Sequence, residues 1–238
     1  MKIALAQLRS QKGDLDINLA RHQDVIERAA AQSADLIVFP ELSLTNYEPT
    51  IAEAVATPPD DPRLDMFQHF ADAHHMTIGI GLPTRHEAGI QISLLLFQPH
   101  QALRRYAKQY LHADEEPFFV PGPGFPSLTL GNTSIALAIC YEISVPAHTE
   151  VAVQSGAPFY LASVAKFVGG IDKALTQMAD IARQHGLTTL MVNSVGEADG
   201  GICAGNSSVW NAKGEVLGQL DGTQEGLLLF DTETGEVS

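Results

Sequence analysis

Apolar residues recur along this chain at two periods. Residues 3–8 alternate apolar and small side chains, which predicts a strand. Residues 17–32 carry Leu19, Ile26 and Ala30 on one face of a 3.6-residue repeat, and Asp16 is placed to cap that helix. Residues 35–39 are a short apolar run stopped by Pro40, as a buried strand would be. Asp61-Pro62 opens a second helix with Leu64, Phe67 and Ala71 inward. Strands are predicted over 77–82, 92–97 and 102–106, with turns near Gly89 and Pro99-His100.

The second half repeats the alternation. A loop around Pro121-Gly122-Pro123-Gly124 precedes strands at 127–130 and 134–139. Pro146 starts a short helix that Gly156 can end, and 159–164 is a strand. Leu175, Met178 and Ala182 mark a further helix stopped by Gly186. Strands at 189–193, 207–210, 215–220 and 226–230 close the list, with Asn211-Ala212-Lys213-Gly214 as a hairpin loop. A dozen strands and four helices, joined both as βαβ units and as hairpins, predict mixed sheets. So many strands for so few helices predict an α/β fold of two stacked sheets, a four-layer α-β-β-α sandwich with helices on the outer faces. No long linker or internal repeat divides residues 1–238, so one domain is expected.

Composition narrows the function classes. The 238 residues are 45% hydrophobic, enough for a core without disulfides, and only Cys140 and Cys203 carry thiols. A net charge of −14 would repel phosphate backbones, so no nucleic-acid partner is expected. No segment has the ~20 apolar residues of a membrane span, and the first residues lack a signal-peptide pattern. A cytoplasmic protein without membrane association is expected. The nine histidines show no zinc-motif spacing, so neither a metal nor another cofactor is predicted.

Three reactive side chains each follow an apolar strand. Residues 36–40 deliver Glu41, residues 103–107 deliver Lys108, and residues 135–139 deliver Cys140, followed by Tyr141 and Glu142. Ligand sites in α/β folds gather at the carboxyl ends of strands, so one cleft can hold all three. Each alone has an ordinary structural reading: a solvated Glu, a snorkelling Lys, a packed thiol. Their motif context decides. Phe39-Pro40-Glu41, Tyr106-Ala107-Lys108 with Leu111, Glu115 through Pro121-Gly122, Ile139-Cys140-Tyr141-Glu142 with Pro146, and Asn193-Ser194-Val195-Gly196 followed by Gly205-Asn206-Ser207 stand in unbroken order. Together they resemble the nitrilase superfamily of carbon–nitrogen hydrolases, in its amidase-like branch.

The resemblance implies Cys140 as nucleophile, Glu41 as base, Lys108 as oxyanion partner with the Tyr141 backbone N–H, and Glu115 beside Lys108. It also implies a small amide as substrate, a thioester intermediate, and homodimers or higher homo-oligomers paired through helices starting near Pro146 and Asp172. Tyr47, Glu142, Lys166 and Phe167 are candidate pocket residues. The chain departs from the family pattern at Glu142, where Asp is frequent, at Val145-Pro146-Ala147, at Cys203, and at residues 163–167, where many members have a Trp. Gln109-Tyr110 after the lysine lacks the His that nitrile-cleaving members tend to carry, and no arginine follows Cys140 to hold the carboxylate of a carbamoyl substrate. Nitrile or N-carbamoyl cleavage, a silent binding module on the same fold, and a metal-dependent phosphodiesterase are the alternatives. Cys203, in a glycine-rich stretch read as a loop, is the competing thiol.

Overall fold

The computed structural model describes residues 1–58, 60–125 and 127–238. Fourteen strands and five α-helices are present among them. In chain order they are β1 (Lys2–Gln7), α1 (Leu15–Ala31), β2 (Leu36–Val38), α2 (Ala52–Val55), α3 (Asp65–His74), β3 (Thr77–His86), β4 (Gly89–Phe97) and β5 (Arg104–Ala107). Then follow β6 (Leu128–Leu130), β7 (Thr133–Ile139), α4 (Pro146–Gln154), β8 (Phe159–Val164), α5 (Ile171–His185) and β9 (Thr188–Asn193). The chain closes with β10 (Val195–Ala198), β11 (Gly201–Ala204), β12 (Ser208–Trp210), β13 (Val216–Gln219) and β14 (Gly226–Asp231).

Two six-stranded sheets form the centre, in the orders β14-β1-β2-β3-β4-β5 and β13-β12-β9-β8-β7-β6. Each has a parallel core, β1-β2-β3 in one and β7-β8-β9 in the other, extended by antiparallel strands. Both sheets are therefore mixed, as the alternation of βαβ units and hairpins predicts. The pleat sorts β1 residue by residue. Ile3 and Leu5 join the apolar layer that holds Leu137 and Leu161 of the other sheet, whereas Ala4 and Ala6 join the layer with Leu19 and Ile26 of α1 and Phe67 and Ala71 of α3. Helices α4 and α5 pack on the second sheet. The result is the expected four-layer sandwich.

Three local readings need correction. Helix α1 begins two residues earlier than expected, because Asp14, in an extended conformation, caps it by accepting the Ile17 N–H at 3.1 Å; Asp16 lies inside the first turn. Strands β3 and β4 run to His86 and from Gly89, longer than their apolar stretches. The segment read as a glycine-rich loop is the β10–β11 hairpin, so Cys203 lies in a strand, paired with Gly196. Its turn, Asp199-Gly200, has positive φ at both residues, 43° and 72°. An Asp-Gly pair is a recognised signal for such a turn.

Candidate active site

The strand directions decide what meets. Strands β2 and β3 are parallel, and β5 returns to their direction after two antiparallel turns. The ends of β2 and β5 therefore share one edge of the first sheet, where Glu41 and Lys108 follow. Cys140 follows β7 in the second sheet, and Ser163 of β8 donates to the Phe39 carbonyl at 2.8 Å, tying the two sheets together at this edge.

The Glu41 turn is held from below. Phe39 N–H donates to the Gly79 carbonyl and Leu44 N–H to the Gly81 carbonyl, both at 2.9 Å. Gly81 has no alternative here, since a Cβ would overlap the Pro40 carbonyl oxygen and lie 2.7 Å from Leu42 N. From α1, Asn18 donates to the Leu44 carbonyl at 2.9 Å and His22 Nε2 meets Ser43 Oγ at 3.0 Å. His22 packs on Phe39 with the rings tilted by 31°, and burial pushes its pKa down to about 4, so it is neutral.

At the centre, the fully buried Lys108 ammonium donates to Glu41 Oε1 at 2.7 Å and to Glu115 Oε1 at 2.6 Å. Tyr47 O–H donates to the same Glu115 oxygen at 2.9 Å, and His112 N–H donates to Glu115 Oε2 at 2.8 Å. Burial alone would discharge Lys108. The neighbouring carboxylates Glu41 and Glu115 outweigh it and hold the ammonium above its usual range. Glu41 is raised as well: burial raises it most, Lys108 opposes the rise and Glu115 adds to it. Its Oε2 is buried without a hydrogen-bonding partner, and the Cys140 thiol lies beside this carboxyl group. A carboxylate with one oxygen anchored on a cation and the other free is prepared to take a proton.

Cys140 is 8% exposed and opens a short 3-10 turn, Cys140–Ser144. Its φ of +45° is in the left-handed region that a side-chain-bearing residue rarely adopts. The first N–H groups of a helical turn have no intrahelical acceptor, so Tyr141 N–H is available beside the thiol. Burial and the Glu41 charge push the thiol up to about 11, against Lys166 and Lys108, which favour the thiolate. This balance leaves Cys140 a resting thiol with the Glu41 carboxyl group beside it.

The remaining expected residues separate. Phe167 packs edge-on to Tyr47, with ring centroids 6.0 Å apart, and pairs with Cys203 through an isolated bridge. Lys166 is half-buried, its backbone fixed by the Asn193 amide at 2.7 and 3.1 Å. Cys203 is 1% exposed, burial pushes its thiol up to about 12, and it lines a cavity of about 620 Å³ with Asn46, Glu48 and Ile202. Glu142 is not a pocket wall. It is fully buried, and its carboxylate accepts from Ile139 N–H, Gln109 N–H and the Tyr106 hydroxyl. The sequence reading held Tyr106 only as part of the lysine motif and gave His148 and Tyr160 no role beside Glu142; no motif spacing joins the three, since they come from β5, α4 and β8. Among the described residues, no group of three or more His, Cys, Asp or Glu converges as a metal site, and no helix is long and apolar enough to cross a membrane.

An α-β-β-α sandwich with a thiol, two carboxylates and a fixed ammonium at one edge is a cysteine hydrolase in form. Comparison with known proteins gives the family. The model of the carbon-nitrogen hydrolase family matches residues 2–237. An (R)-stereoselective amidase from a Pseudomonas species is 29% identical over 91% of this chain and 80% of its own length. A nitrilase from Pyrococcus abyssi is 26% identical over 94% of this chain and 87% of its own. A solved mutant of the amidase from Nesterenkonia sp. AN1 superposes with a TM-score of 0.88 at 27% identity, covering 97% of this chain and 92% of that one; in that structure acrylamide has added to the active site cysteine. The chain belongs to the carbon-nitrogen hydrolase family, in the amidase-like branch of the nitrilase superfamily, and is an enzyme of that class.

Proposed function

We propose that the enzyme hydrolyses a small linear amide to ammonia and a carboxylic acid through a thioester on Cys140. The single observation that supports this most is the shared ammonium: Lys108 bridges Glu41 and Glu115 at 2.7 and 2.6 Å, leaving Glu41 Oε2 without a partner in a carboxyl group that has the Cys140 thiol beside it. In this reading Glu41 takes the Cys140 proton as sulfur attacks the amide carbon. The tetrahedral oxyanion is met by the Lys108 ammonium and Tyr141 N–H. Glu41 then returns the proton to the leaving nitrogen, and ammonia departs. Water attacks the thioester with Glu41 again as base, releasing the acid and the thiol. Glu115, fixed by Tyr47 and His112 N–H, keeps Lys108 charged and in place. The relatives named as amidases favour an amide over a nitrile, as does Gln109 after the lysine. Two unpaired, buried thiols suit the cytoplasm.

Ammonia release from a panel of short aliphatic amides, with intact-mass detection of the acyl-enzyme, tests the reading. Cys140→Ala should abolish release and the adduct, whereas Cys203→Ala should keep both. Full turnover by Cys140→Ala refutes it.

A further inference from the structure

The Glu142 carboxylate is 0% exposed and lies between the two segments that carry the reacting groups. Its Oε1 accepts Gln109 N–H at 2.6 Å and Tyr110 N–H at 3.4 Å, the two residues directly after Lys108. Its Oε2 accepts Ile139 N–H at 2.7 Å, directly before Cys140, and the Tyr106 hydroxyl at 2.8 Å. One side chain thus spans from the first sheet to the second and ties the lysine to the nucleophile.

We propose that Glu142 is a positioning residue for the hydrolysis, its ionised form holding the end of β5 against the Cys140 turn, with Tyr106, His148 and Tyr160 forming a reversible hydrogen-bonded chain that admits or removes its proton. The inference rests on the amide-hydrolase reading of the site but makes its own claims. His148 Nε2 is 2.7 Å from the Tyr106 hydroxyl oxygen, and Nδ1 is 3.2 Å from that of Tyr160. With Glu142 ionised, Tyr106 donates to Glu142, His148 Nε2–H donates to Tyr106, and Tyr160 donates to Nδ1. With Glu142 protonated, every donor reverses: Glu142 O–H donates to Tyr106, Tyr106 to Nε2, and Nδ1–H to Tyr160. His148 changes tautomer and remains neutral, in keeping with burial that pushes its pKa down to about 4. The proton gained by Glu142 comes from solvent, and the chain only redistributes hydrogens, so the step balances.

The groups facing Glu142 are Tyr106 and Lys108 from β5 and its end, His148 from α4 and Tyr160 from β8. Burial raises Glu142 to about 7, opposed by its backbone donors, Tyr106 and Lys108. The ionised, clamping form therefore prevails above about pH 7 and is lost as pH falls through that value. A glutamine at this position presents an NH₂ where two sets of donors already point, so it cannot serve both segments.

Glu142→Gln should lower kcat by about 100-fold through misplacement on the order of 1 Å, with KM nearly unchanged. Tyr106→Phe removes one donor to the anion, so the acid limb of the parent kcat profile should move to higher pH while the plateau is largely kept. Nitrogen-15 NMR of His148 in the resting enzyme should show a change of neutral tautomer with the same midpoint as that limb. If Glu142→Gln does not fold, the Tyr106→Phe profile and the tautomer titration still decide. A kcat within twofold of the parent in Glu142→Gln, an acid limb unmoved by Tyr106→Phe, or a single His148 tautomer from pH 5.5 to 8.5 would overturn the proposal. The tautomer titration needs no turnover, so it separates failure of this inference from a parent enzyme that hydrolyses no amide.

Discussion

Substituting Gly81 by alanine is the most direct test of how the fold holds Glu41, the proposed base. The added methyl would overlap the Pro40 carbonyl oxygen and approach Leu42 N to 2.7 Å and the Glu41 carbonyl carbon to 3.1 Å. All three are backbone atoms, so no rotamer change relieves the overlap. The 40–42 turn must separate from β3 by about 1 Å, straining the Phe39-to-Gly79 and Leu44-to-Gly81 hydrogen bonds. Overpacking costs about 1–3 kcal/mol, and weakening the two bonds adds about 1 kcal/mol, so a loss of about 2–4 kcal/mol is expected. The same shift pulls Glu41 from Lys108 and Cys140, and a misplacement of that size costs roughly 100-fold in rate. Urea unfolding measures the first effect, and kcat from ammonia release measures the second in the folded variant. An unchanged urea midpoint together with kcat within threefold of the parent would refute the claim that the close approach of β3 positions Glu41.

Other outcomes follow from the same geometry. Lys108→Met removes the charge shared by Glu41 and Glu115; acylation should slow by about 100- to 1000-fold in stopped flow, and an unchanged rate would deny it the oxyanion. Glu41→Gln should acylate with an activated ester yet retain the acyl group on Cys140 by mass, because the second step lacks its base; normal turnover would show another base at work. His22 is lowered from 6.5 to about 4, so its neutral form contributes stability above pH 6.5 that is lost as pH falls towards 4. Between pH 7.5 and 5 the parent should therefore lose about 2 kcal/mol more than His22→Gln in urea unfolding, and equal losses would mean His22 is not held neutral. We expect homodimers joined through α4 and α5, where Ala147 and Val151 are exposed while Ala152 is buried in its own fold; sedimentation equilibrium at 25.5 kDa would count against it.

Much of this architecture is written in local pattern. The period-2 runs at 3–8, 134–139 and 159–164, and the 3.6-period face of Leu175, Met178 and Ala182, suffice for strands and helices because each side chain's burial depends on its own pleat or turn. The motif residues Glu41, Lys108 and Cys140 are legible for a related reason: each follows an apolar strand directly, so a one-dimensional pattern marks where a three-dimensional edge begins. Weaker patterns failed. The β10–β11 hairpin has glycines where strands usually carry branched residues, and only Asp199-Gly200 signals its turn.

Tertiary structure alone decided what the side chains do at that edge. Sequence allows Glu142 to be a pocket residue, since it follows the nucleophile by two. The turn of the chain after Cys140 carries its carboxylate into the interior, where donors 33 to 36 residues away and the Ile139 N–H, 3 residues before it, converge on it. Gly81 attracts no notice in the sequence, yet the Glu41 turn rests on its missing side chain. Likewise, the protonation of Glu41, Lys108 and Cys140 is fixed by what surrounds them. Burial opposes every charge, and only a partner brought within about 3 Å by the fold can restore one. Which residues can react is thus a property of the chain; which atom holds the proton belongs to the packed edge where two sheets bring their strand ends together.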